Sequence, residues 1–110
     1  MPSVAAPVLP EPVARYAASG QRSVDGWLSR LDAELIGLVS AAQSGGGITG
    51  SVGEIGVHHG RLFLLLALGL RPGERAFAVD IFGEQQLNVD LSGEGDEARF
   101  RQNLTRFGVA

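Results

Sequence analysis

Two short β-prone runs, Val52 to Ile55 and Phe77 to Val79, flank one longer apolar run, Leu62 to Leu70. This alternation constrains the fold more than anything else in the chain. Leu62 to Leu70 is too long and too rich in leucine and alanine for another strand, so the pattern predicts a helix. Gly56 and Gly60 bracket the turn leading into it. Arg71-Pro72-Gly73 stops it, because proline cannot continue a helix and glycine suits the turn beyond its end. Two strands joined through a helix form a right-handed crossover with parallel strands. In such a sheet, ligands bind outside the carboxyl ends of the strands, where Glu54–Gly60 and Asp80 both fall.

The chain has 110 residues, enough for one small α/β domain. It contains no cysteine, which excludes disulfides, thiolate metal sites and a cysteine nucleophile. It contains no lysine either, since all 9 basic residues are arginine; a lysine-bearing phosphate loop and Schiff-base chemistry are therefore excluded. A net charge of −3 with dispersed arginines gives no basic stripe, so nucleic acid is not an expected partner. The proline-rich N-terminus lacks the features of a signal peptide, and Leu62 to Leu70 falls well short of the roughly 20 residues that span a bilayer. A cytoplasmic protein with no membrane partner is the default expectation.

Residues 1–20 read as a flexible Pro/Ala-rich arm with at most a turn of helix around Val13–Ala18, and residues 21–110 as the folded domain. Ser23 has the character of an N-cap, with Asp25 in the first turn. Trp27, Leu28, Leu31, Leu35, Leu38 and Val39 recur at helical spacing, predicting a helix to about Ala42 laid on a core with Trp27 as a packing anchor. Gln43–Gly50 reads as a flexible linker, since its three consecutive glycines precede a strand and no basic residue follows them. Phe82–Gly95 is a polar loop that either covers the strand ends or simply connects. Its Asp90-x-Ser92-x-Glu94 imitates the opening of a calcium loop, but the twelfth position is Arg101, which rules calcium out. Asp96 caps a helix through Phe107 with Phe100, Leu104 and Phe107 on one stripe and Gly108 as the stop.

The glycine turn departs from a dinucleotide fingerprint, because His58 stands where the middle glycine would let a pyrophosphate approach. Glu54 ends a buried strand, where an ionised carboxylate is expensive unless paired. Either N–H groups of its own turn satisfy it, or it awaits a cationic ligand. Asp80, ending the neighbouring strand, can reach the same crevice and accept two ribose hydroxyls; the plainer alternative is a capping or solvated loop acid.

Gly53-Glu-Ile-Gly-Val-His-His-Gly60 followed by Ala78-Val-Asp-Ile-Phe82 resembles the first two motifs of a class I S-adenosylmethionine-dependent methyltransferase. The resemblance runs from about Trp27 to Ala110 and is strongest over 52–82. The paired histidines also resemble a bacterial branch of that family. The resemblance implies an incomplete Rossmann-like parallel sheet of the first two to three strands, the N-terminal part of a truncated cofactor-binding domain. It implies S-adenosylmethionine as cofactor, with Glu54, Gly56, Val57, His58 and Gly60 against its methionine part, Asp80 on the ribose and Ile81 on the adenine. It implies a small-molecule acceptor, for which no catalytic residue is assignable.

The alternative is a catalytically inactive domain that acts only in ligand binding or association. His58 and His59, as neighbours at a helix start, are not expected to face one way or to share a metal, and no metal site is expected. One of them as a general base is the sharper reading, and turn packing the plainer one. Leu62 to Leu70 is apolar nearly all round, so both faces need cover that two strands cannot give; either the missing strands of such a domain or another subunit supplies it. Homo-oligomerisation through an exposed sheet edge is the expected consequence.

Overall fold

The computed structural model describes residues 6–89 and 94–109. Its elements run in the order α1 (Glu11–Ala18), α2 (Arg30–Gly45), β1 (Val52–Ile55), α3 (Arg61–Leu68), β2 (Ala76–Val79) and α4 (Glu97–Arg106), with 3-10 turns at Gly20–Ser23 and Gln85–Leu87. The result is a mixed α/β layer: four helices and a two-stranded parallel sheet in which Val52 pairs with Ala76 and Ile55 with Val79. The crossover predicted from the apolar runs is present, with α3 as its connection.

Side chains alternate across a sheet, so Val52, Glu54, Ala76 and Ala78 share one face while Ile55, Phe77 and Val79 share the other. The first face meets the helices. Ala76 packs against a cluster of Val57, Phe63 and Phe100, to which Phe82 and Leu104 also belong. On the second face Ile55, Phe77 and Val79 stand exposed.

The supposed N-terminal arm is part of the core from Glu11 onward. Pro10 and Pro12 sit at the start of α1, where a missing N–H does no harm. Val13, Tyr16 and Ala17 then fall on one helical face and are buried with Val24, Ala33, Leu64 and Leu65. This face covers α3, the role that the sequence left to absent strands or another subunit. Helices α1 and α2 on one side and the α4 cluster on the other leave no residue of α3 fully exposed.

Helix α2 begins later than Ser23 suggests. Ser23 closes the preceding 3-10 turn, donating its hydroxyl to Gly20 O, while Ser29 Oγ accepts the N–H of Asp32 and caps α2. The helix also faces the other way. Its buried residues are Ala33 and Gly37, whereas Trp27, Leu31, Leu35 and Val39 are exposed. The physical reason is close approach. A Cβ at Gly37 would lie 2.7 Å from Leu9 Cδ2 and 3.1 Å from Val13 Cγ1, so the missing side chain lets Leu9 and Val13 pack closely on α2 without shifting. The connection after α2 is likewise tied down: Arg71 donates to Ser44 O and Ile48 O, and Glu74 accepts from Gly50 N.

Asp96 caps α4 as predicted, accepting the N–H of Arg99. At the other end Gly108, at φ 74°, donates to Thr105 O, and Val109 N donates to Leu104 O. This paired closure ends a helix through a left-handed residue and folds Val109 back on the core, so Val109 completes α4 and does not open a strand. Ala110 lies outside the described residues, as does Asp90–Gly93 of the calcium-like segment.

One side chain binds these parts together. Arg61, the first residue of α3, donates from Nε to Gln21 Oε1 (2.9 Å), from Nη1 to Gly26 O (3.0 Å) and from Nη2 to Leu28 O (3.1 Å). Its own carbonyl accepts the hydroxyl of buried Tyr16. The planar fork matches these acceptors in a way that a lysine ammonium cannot. Arg61→Ala is expected to destabilise the fold by about 2–4 kcal/mol in urea melts, and Arg61→Lys is expected to recover less than half of that.

Candidate functional site

The strand ends converge as the crossover requires. Gly56 N donates to Val79 O at 2.7 Å, carrying the ladder one residue past β1 before the chain turns. The turn passes through three left-handed residues, Gly56 at φ 82°, His58 at φ 53° and Gly60 at φ 95°. The two glycines serve different ends. A Cβ on Gly60 would come within 2.9 Å of Phe100, so this position is required by the core. A Cβ on Gly56 would meet nothing within 4 Å, so this one faces open space. Val57, expected against a cofactor, is instead 3 % exposed and anchors the turn in the α4 cluster. Only its backbone can take part in a site.

Asp80 joins the two strand ends directly. Its Oδ2 accepts His58 N at 2.9 Å and its Oδ1 accepts Phe82 N at 2.7 Å. Phe82 is the other non-glycine residue with positive φ among the described residues, at 45°. One carboxylate therefore steadies both strained backbones. Each oxygen keeps acceptor capacity beyond these bonds. Ile81 follows, partly exposed, at the lip. The polar loop returns over this point: a Cβ on Gly95 would stand 3.2 Å from Asp80 Oδ1 and 3.5 Å from His58 Cα.

Glu54 faces the helix side of the sheet, half-buried, and accepts no hydrogen bond and forms no ion pair among the described residues. Burial first, and the Asp80 charge second, push its carboxyl up to about 7. The two acids thus share one electrostatic neighbourhood.

The histidines differ from expectation. Because His58 is left-handed and not helical, the two imidazoles stack face to face with centroids 3.9 Å apart and planes at 21°. Their lone pairs lie in parallel planes and do not converge on one ion. No group of three or more metal-capable side chains occurs among the described residues. His59 is held by its carbonyl, which accepts Asn103 Nδ2 from α4 at 2.9 Å. Its ring pKa is lowered by burial and by His58, against a weaker opposing pull from Asp25. On the outer side, Trp27 lies 5.2 Å from the His58 ring.

Three participants escaped the sequence reading: Asn103, Gly95 and Trp27 as a surface residue. None carries a motif. Asn103 could have been noticed as a polar residue on the apolar face of α4, one residue from Leu104. A separate cleft of about 250 Å³ lies between α1, α2 and α3, and none of the candidate residues lines it.

Comparison with protein-family models, curated proteins and solved structures gives no match to this chain.

Folding raises the pKa of Glu54, so the native state holds a proton that the unfolded chain has released. Stability from this group is fully present below the ordinary carboxyl pKa of 4.5 and is lost as pH rises through about 7. The loss should be about 1–2 kcal/mol after allowance for solvent screening of a half-exposed group. Glu54→Gln is expected to remove that part of the pH dependence, measured as unfolding midpoints between pH 4.5 and 8.

Proposed function

We propose that this chain binds S-adenosylmethionine along the Gly56–Gly60 turn and forms the cofactor-binding part of a methyltransferase acting on a small-molecule acceptor. The observation that carries the reading is the bond from His58 N to Asp80, which makes the glycine turn and the second strand's acid one locus at the carboxyl edge of a parallel pair. The open space before Gly56 admits a ligand, and the unpartnered Glu54 suits a cationic one. His58 in place of a middle glycine disfavours a dinucleotide. When bound, the cofactor supplies the electrophilic methyl group; the chain's own residues supply binding and alignment. In this reading Asp80 takes the ribose hydroxyls with its remaining lone pairs, Ile81 lies against the adenine, and Glu54 meets the positively charged end.

Calorimetric titration tests it. S-adenosylhomocysteine is expected to bind and NAD to remain silent. Gly56→Val is expected to weaken binding by at least about tenfold, by filling the space a ligand needs, while costing about 1–3 kcal/mol of stability for a left-handed β-branched residue. Binding of NAD alone would end the proposal.

A second reading, a domain that acts through association without turnover, is favoured by the exposed Ile55, Phe77 and Val79 on one sheet face. It predicts a sedimentation coefficient that rises with concentration and loses that dependence in Phe77→Glu. Silence from both nucleotides together with this behaviour would favour it.

A further inference from the structure

Trp27 was expected in the core and is 77 % exposed, yet the loop that carries it is among the best-held in the molecule. Arg61 grips the carbonyls on either side of it, at Gly26 and Leu28. Gly26 adopts φ 146°, and a Cβ there would lie 3.1 Å from Arg61 Cβ, so the loop fits against α3 only because that residue is glycine. Leu28, next in sequence, is packed into the core. An arginine, a glycine and a leucine thus fix the backbone, while the largest apolar side chain is held out in water. It stands beside the glycine turn, with its ring 5.2 Å from His58. On the same residue, the backbone N–H is bonded to Asp80. A positioned indole against the turn residue whose backbone N–H holds the Asp80 carboxylate is the chemistry of a site for an organic cation.

We infer that Trp27 is a ligand-contacting residue, an aromatic wall of the glycine-turn site that receives the positively charged centre of the ligand. The inference rests on the cofactor reading above and adds a residue outside its two motifs. In S-adenosylmethionine two centres qualify, the sulfonium and the ammonium. Both are attracted to the face of an indole ring, and neutral adenosine has neither.

The chain has 1 tryptophan, so selectively excited tryptophan emission reports this position alone. Emission should change on saturation with S-adenosylmethionine. In calorimetry, Trp27→Leu should weaken S-adenosylmethionine by about three- to tenfold and adenosine by less than twofold, with Trp27→Phe recovering part of the loss. Unfolding midpoints should stay at the wild-type value, since the ring is exposed. A loss shared with S-adenosylhomocysteine assigns the ammonium as the contacted group; a loss confined to S-adenosylmethionine assigns the sulfonium. An equal loss for all three ligands would mean that the indole stacks on adenine, and would overturn the inference. Unchanged affinities accompanied by a smaller sedimentation coefficient would overturn it too, placing Trp27 in a protein-contacting stripe with Leu31, Leu35 and Val39. Absence of any binding to the wild-type chain would sink the cofactor reading and this inference together, whereas equal binding by wild type and Trp27→Leu sinks this inference alone.

Discussion

The Asp80 carboxylate is the joint on which the candidate site depends. It lies just past the last residue of β2, and its two oxygens accept one N–H from each of two loops, at His58 and at Phe82. Both donors belong to left-handed residues that would relax without it. Charge-assisted bonds to backbone N–H groups are among the stronger ones available, which is why one acid can hold two strained turns. The shape of the strand-end edge follows from that joint.

A division of labour runs through the rest of the fold. Arg61 secures the helical layer by binding carbonyls rather than acids, so its charge is satisfied without an ion pair and without dependence on the protonation of a partner. Asn103 secures the far side of the turn by holding His59 O from α4. The glycine turn is therefore fixed from three directions: by β2 through Asp80, by the loop and helices around Arg61, and by α4. Pre-organisation of this kind lowers the entropy lost when a ligand is bound.

The crossover, the helix between the two strands, the Asp96 cap and the parallel pairing of the strands that lead to Glu54 and Asp80 were all legible in the sequence, because each rests on local pattern or on the topology of parallel strands. The face that α2 presents was not. A reading by hydrophobic spacing finds Leu31, Leu35 and Val39 and turns them inward, whereas the structure turns in Ala33 and Gly37, whose value lies in their small size. Glycine and alanine leave no trace in an amphipathic pattern. The same blindness hid α1, where four prolines before residue 13 outweighed the short apolar face of Val13, Tyr16 and Ala17. The stacked histidines were missed because their geometry follows from one left-handed residue, and His58 is not a glycine that would announce it.

The small face of α2 has a dynamic corollary. Helix α1 is only eight residues long, below the roughly 12–15 at which an isolated helix persists in water, so it is helical only while seated against Gly37. Its backbone amides should therefore exchange with solvent through a detachment that leaves the sheet intact. They would form a separate cooperative unit, less protected than α3 beneath them. The burial of Leu64 and Leu65 is thereby tied to the docking of this proline-led segment.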